Sequence, residues 1–272
     1  MKHISYLLSV VLLLSCIGAL VSCGPSETIS VDGYTFLINS GEGDATYSVY
    51  AYDKTLQNKE LTIPAEIPNK GYLVTDIQKD AFRGNTVIEK VTISTGIKKV
   101  DGFNGCTSLN TVHFPESVTE INGFESCTSL KSVQFPANVT KIGGFKQCTS
   151  LETVVFPNGA TEIGGFSDCA ALTSIEFPDT VTKISWYSFE NCTSLKTVVF
   201  PEGLTSIGRS AFYGCTALES VYIPATVTEI YSGAFNECQS LSAIDFGGTM
   251  EAWNSFEVNV MCPVRCSDGT ID

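Results

Sequence analysis

Eleven cysteines and two histidines are the residues best equipped for chemistry in this chain of 272 residues. Seven of the cysteines recur at one place in a repeating unit, at 106, 127, 148, 169, 192, 215 and 238. In an exported chain such a count first suggests disulfides. The spacing argues against them. One cysteine per turn of a repeat makes a column whose neighbours lie about 4.8 Å apart with parallel Cβ atoms, slightly beyond disulfide range. Buried thiols that donate to backbone carbonyls are the expected state, and Asn85, standing one unit earlier in the column, is expected to hydrogen-bond in the same place. Metal binding is not expected, because neither a Cys-x-x-Cys pair nor a partner histidine accompanies the column. Cys262 and Cys266 could pair only around a sharp turn, since an extended strand would hold them about 13 Å apart.

Catalytic candidates are few. His113 has Gln134 and Val155 at the equivalent places of the next units, the mark of a surface position rather than a base. Asp268-Gly269-Thr270 resembles an aspartic-protease triplet in letters only, without the second copy that a carboxylate dyad needs. No nucleophile elbow or phosphate loop occurs. The expectation is therefore no catalytic site, no metal and no cofactor.

The N-terminal residues indicate export. Lys2 precedes an almost wholly apolar run at 4–21, and Leu20-Val21-Ser22-Cys23 closes it with small residues before a cysteine. This ending resembles the bacterial lipobox, which implies cleavage before Cys23 and diacylglyceryl attachment to its sulfur. An uncleaved span is the other reading of so long an apolar run, but a plain anchor needs no cysteine there. Removal of residues 1–22 takes the net charge from −13 to −14, with 15 Lys and Arg against 29 Asp and Glu. Such a surface opposes nucleic acid as a partner.

The elements that must position the cysteines are repeats. The leading apolar position recurs at Ile88, Leu109, Leu130, Leu151, Leu172, Leu195, Leu218 and Leu241, and Phe recurs at 82, 103, 124, 145, 166, 189, 212 and 235. The period is 21 residues in the early units and 23 in the later ones, because the four units between Val100 and Cys169 lack two residues between the Ile and Phe positions. The units open on a Leu-x-x-Val-x-Phe pattern, and six of the eight continue with Pro (115, 136, 157, 178, 201 and 224), which cannot donate to a ladder and so ends the strand. With Cys-x-x-Leu at the junction, this template resembles the BspA-like family of bacterial leucine-rich repeats over roughly residues 61–271. The segment from Asp245-Phe-Gly-Gly-Thr to Thr270 is similar to that family's closing segment. The resemblance implies a right-handed, mainly β solenoid with a parallel sheet on its concave face, and function in protein–protein recognition at host or neighbouring-cell surfaces.

A stack of this kind exposes apolar ends and must be capped. The expected organisation is a cleaved signal at 1–22, a tether at 23–27, a β-hairpin cap at 28–60, repeats at 61–246 and a closing cap at 247–272. Along the expected sheet, one outward column is uniform and hydroxylated (Thr111, Ser132, Thr153, Ser174, Thr197, Ser220). The next is varied: His113, Gln134, Val155, Glu176, Val199, Tyr222 and Asp245. Variety on a constant floor is how a repeat scaffold presents a recognition surface, although unconstrained drift would look the same. A third column, Asp76, Lys99, Glu120, Lys141, Glu162, Lys183, Ser206 and Glu229, alternates in sign and reads as a register ladder rather than a site. The short units should also thin the outer arc, leaving residues 101–170 flatter than 184–240.

These features converge on a lipid-anchored binding or adhesion protein that meets protein partners through the strand face. The alternative reading is a structural or accessory subunit of a cell-envelope complex.

Overall fold

The computed structural model describes residues 28–39, 46–256 and 258–271. The signal segment, Cys23 and the tether lie outside them. The chain winds through nine coils, each of which lays down one Leu-x-x-Val-x-Phe strand, from Glu60–Ile63 to Ala243–Phe246. Each of the first eight coils also contributes a second short strand around its Ile position, so two parallel sheets run along the stack rather than the single one expected. The second sheet is the longer, with eleven strands in unbroken order. A third side is built from turns whose amides bond to the next coil, as in Phe103 N–H to the Gly123 carbonyl at 2.7 Å and Gly105 N–H to the Glu125 carbonyl at 2.7 Å. Proline marks the corner after the first strand. It has no N–H to give, and its carbonyl accepts from the residue three places on, as Pro115 does from Val118 at 3.1 Å.

Stacking in register puts like on like. The Phe column is fully buried from Phe82 to Phe212, and its rings, out to Phe235, lie parallel with centroids 4.7–5.6 Å apart. Each fully buried ring of this size contributes about 1.5–3 kcal/mol that no isolated coil could obtain.

The cysteine column behaves as its spacing requires. Each thiol donates to the Phe carbonyl of the preceding coil, from Cys106 to Phe82 at 3.2 Å through Cys238 to Phe212 at 3.2 Å. All seven are free, and Cys262 and Cys266 are free as well. Burial pushes the Cys106 and Cys148 thiols up to about 12 and raises the others too, so the donating proton stays in place. Asn85 hydrogen-bonds as expected, but as an acceptor: its Oδ1 accepts from the Val87 and Ile88 amides at 2.9 and 3.0 Å, within its own turn.

Both ends are capped by β structure. At the front, the expected hairpin cap has a third strand, because residues 28–39 are themselves folded in two. Thr28–Val31 and Tyr34–Asn39 pair through Asp32-Gly33, both at positive φ (50° and 83°). Thr46–Tyr52 then joins this ribbon to the second sheet, and Tyr52 lays its ring 5.3 Å from Phe82, closing the Phe column. At the back, Val264–Cys266 and Gly269–Ile271 extend the first sheet, while Trp253, on a short helix at Met250–Asn254, packs 5.5 Å from Phe246. Asp268, the acid of the protease-like triplet, accepts the Met250 amide at 2.8 Å and so fixes the start of that helix.

Candidate functional site

The outward residues expected from the sequence stand on the first sheet, on strands that are neighbours throughout but not hydrogen-bonded throughout. The ladder of that sheet is interrupted twice, between Thr111–His113 and Ser132–Gln134 and again between Thr153–Val155 and Ser174–Glu176. His113 is therefore paired only with Thr92, and Gln134 only with Val155. Glu176, Val199, Tyr222 and Asp245 remain in register on consecutive strands, and Arg265 of the closing hairpin follows them. Arg265 is a surface residue that the repeat pattern could not flag, because it lies outside the repeats. It meets Asp245 at 3.3 Å, a pair exposed enough to contribute little energy.

The contiguous part of the column carries apolar groups into solvent. Val199 is 63% exposed and Tyr222 43%, above the exposed hydroxyl floor of Thr197 and Ser220. Partial burial, with the Glu202 carboxylate beside it, raises the Tyr222 phenol above its ordinary value.

Both interruptions fall where the short coils are. In that run the strand-end rings Phe114, Phe135 and Phe156 stand 6.5 and 6.1 Å apart, while the inner rings Phe103, Phe124 and Phe145 are spaced at 5.2 Å. Among the long coils the corresponding values are 5.8 Å and 5.4 Å. Across the second interruption itself Phe156 and Phe177 stand 5.9 Å apart, close to the long-coil spacing.

The missing residues leave a second consequence on the other sheet. Between the Gln78–Lys79 step of a long coil and the Ser185 step of the next long coil lies an open trough of about 790 Å³. The sign-alternating column runs along it, and its expected pairing is present in register. Lys99 meets Glu120 at 2.9 Å, and Glu162 meets Lys141 at 3.6 Å and Lys183 at 3.1 Å. The adjacent column, Asp101 and Asn122 in register, forms the floor. Burial raises the Asp101 carboxyl; Lys79 opposes this, and Asp80 and Glu125 add to it. The floor is kept low by glycine. Gly144 has φ +82°, and a Cβ there would approach the Gly123 amide nitrogen to 2.7 Å. The two-residue deletion was visible in the sequence; that it opens a cavity was not.

Among the described residues no three His, Cys, Asp or Glu side chains have an arrangement that could hold a metal ion, and no helix is long and apolar enough to cross a membrane. His113 is exposed on a strand.

Comparison with known proteins agrees with this architecture. A leucine-rich repeat protein from Bacteroides ovatus ATCC 8483 superposes with a TM-score of 0.54 at 21% identity, over 88% of this chain and 78% of that one. The leucine-rich repeat protein of T. pallidum gives 0.55 at 20% identity, over 87% and 100%. At these identities the likeness is one of fold. No curated protein sequence matches. The profile of the BspA type leucine rich repeat region matches in six copies, over residues 46–165 and 163–259. With most of its length inside that match, the chain belongs to the BspA-type leucine-rich repeat family.

Proposed function

We propose that this protein is a membrane-tethered adhesion or binding module that recognises protein partners through the C-terminal half of its first sheet. The observation that carries the reading is the unbroken row Glu176, Val199, Tyr222, Asp245 and Arg265, with two exposed apolar side chains at its centre and charges around them. That is the layout of a protein interface, with an apolar anchor inside a polar rim. Val155, Gln134 and His113 continue the column toward the N-terminus on strands that stay adjacent where the ladder hydrogen bonds are incomplete. The tether in the proposal is the lipid on Cys23, supported by the lipobox-like residues around it.

Two measurements test the reading. Protease shaving of intact cells should release fragments of the protein, and Cys23→Ser should release the whole chain from the membrane fraction. A variant carrying Glu176→Ala, Val199→Ser and Tyr222→Ala should keep its circular-dichroism spectrum and lose a protein that the parent retains on an affinity column. Identical retention by parent and variant would refute the assignment of the face.

A further inference from the structure

The thiol column has a neighbour beyond its seven members. One further step of 23 residues from Cys238 reaches Met261, and the next residue is Cys262. No Phe-x-x-Cys turn carries Cys262. It belongs to the closing segment, between the helix at Met250–Asn254 and the strand at Val264–Cys266. Cys238 is the last thiol of the column and the one member of the seven that is not fully buried, because no coil follows it.

A hollow of about 380 Å³ lies at that open end. The last coil lines it with Phe235, Cys238 and Leu241, and the closing segment with Asn259, Met261 and Cys262. Both sulfur-bearing side chains thus border one space. Burial pushes the Cys238 thiol up to about 12; a hydrogen bond from the Cys215 backbone opposes this, and the neighbouring Cys262 adds to it. Cys266 lines neither this hollow nor the one beside Trp253.

The restraint that keeps column members from bonding to one another does not reach this pair. Within the column, stacked coils hold neighbouring Cβ atoms parallel and slightly too far apart. Cys262 is not on such a coil. From Val258 to Cys262 the chain is outside helix and strand and makes no backbone hydrogen bond to another described residue. The Cys262 thiol has no hydrogen-bond partner among the described residues. Its sulfur is therefore free to turn toward Cys238 and close to the roughly 2.05 Å of a disulfide.

We propose that Cys238 and Cys262 form a dithiol site that an external disulfide oxidises, and that the resulting bond clamps the closing segment onto the last coil. Cys262, the less deeply buried, reacts first. Its thiolate attacks one sulfur of the oxidant and expels the other as a thiolate. The Cys238 thiolate then attacks the Cys262 sulfur of the mixed disulfide and expels the second half. Two cysteine thiols become one disulfide, and the oxidant's disulfide, taking their two electrons and two protons, becomes two thiols. The bond closes a loop of about 24 residues, which restricts the unfolded end of the chain. It also fixes the segment that leads into Arg265, the last member of the row on the first sheet. An oxidising surrounding follows from the exported location proposed above; the reaction itself does not depend on it and is tested on the purified protein.

The purified full chain is incubated with oxidised glutathione at about pH 8.5, alkylated, mapped by mass spectrometry and melted. The expected product is a Cys238–Cys262 peptide pair, with the six inner column thiols unmodified. The melting midpoint should rise by about 5–10 °C and fall back on addition of dithiothreitol. Cys238→Ser or Cys262→Ser should abolish both bond and rise, and Cys266→Ser should leave both. Should Cys238→Ser melt poorly before oxidation, Cys262→Ser, outside the column, carries the same test. Three results would overturn the proposal: glutathione left as a mixed disulfide with no internal bond, a bond to Cys266 or to a second copy instead, or a Cys238–Cys262 bond that fails to raise the midpoint.

Discussion

The run of short coils at 100–166 and the run of long coils at 184–235 share one core and differ in their surfaces. Through both, a thiol meets the Phe carbonyl of the coil before it at 3.1–3.3 Å, and the inner Phe rings stay stacked at 5.2–5.6 Å. Only the arc between Ile and Phe changes. With two residues fewer, the coil opens its first-sheet ladder and leaves a trough on the second sheet; with two more, it closes the ladder and raises a shoulder that carries Trp186 and Tyr231. A solenoid can thus vary both faces by editing a stretch that touches neither the thiol nor the Phe column. The protein-binding face proposed above sits on the long coils, and the trough on the short ones.

If the core really is common to both runs, alkali should dissolve them together. The six buried column thiols have raised values in the folded chain, so the stability they represent is fully present below the ordinary thiol value of about 8.5. It is lost as pH rises toward the folded values, about 12 for Cys106 and Cys148. Each pH unit above about 8.5 then costs up to about 1.4 kcal/mol per thiol, so six of them outweigh a typical domain stability of about 5–15 kcal/mol within roughly two units. One cooperative transition near pH 10 to 11, followed by circular dichroism, is expected. Two separated transitions would show that the runs do not share a core. Below that pH the thiols should resist alkylation and become titratable only in denaturant.

The ladder opening should be legible in the cost of removing a strand-end ring. Phe200 stacks on Phe177 at 5.8 Å and meets Phe212 edge-on at 5.6 Å; Phe135 meets Phe145 edge-on at 5.4 Å, but its stacking neighbours stand at 6.5 and 6.1 Å. Phe200→Ala should cost about 3–5 kcal/mol, and Phe135→Ala about 1 kcal/mol less, because its site is already spread. Denaturant melts of the two variants give the comparison directly; an equal or larger loss at Phe135 would mean that the wider ring spacing carries no energy. Glycine offers the reverse contrast. Gly84, in a long coil, has φ +68° with nothing within 4 Å of a built Cβ, so Gly84→Ala should cost only the left-handed penalty of about 1–2 kcal/mol. Gly144→Ala adds a collision with the Gly123 backbone and should cost a further 1–3 kcal/mol or so.

The core was legible because it repeats. Any position that must stack on itself every 21 or 23 residues announces its burial, and so Phe124, Cys148 and Leu172 could be placed inward without coordinates. What does not repeat was harder. Asp32-Gly33 folds the front cap into a third strand on the strength of one dipeptide, within a stretch whose alternation alone suggests a single strand. The second sheet uses strands of two or three residues, too short to show a period. Residue spacing shows which way the side chains from His113 to Asp245 point, and not whether the adjacent backbones are bonded.

The junction of the two runs provides the finest test. Glu162 is the last acid of the short run, and it reaches back to Lys141 at 3.6 Å and forward to Lys183 at 3.1 Å, where the long coils begin. Ser185 Oγ donates to it at 2.8 Å. That hydrogen bond is the main reason its carboxyl lies below the ordinary value; burial opposes the shift, and the two lysines add to it. A depressed carboxylate stabilises the fold above its unfolded value of about 4.3 and loses that contribution as pH falls through the folded value. Glu162→Gln should therefore cost about 0.5–1 kcal/mol at neutral pH and almost nothing at pH 3. Glu120 lies inside the short run, with Lys99 alone at 2.9 Å and its side chain 63% exposed. Screening reduces such a pair to a few tenths of a kcal/mol, so Glu120→Gln should be close to neutral at either pH. Thermal melts of both variants at pH 7 and pH 3 separate the cases. Equal losses at the two positions, or a loss at Glu162 that survives at pH 3, would show that the seam between the runs is held by packing and that its carboxylate is incidental.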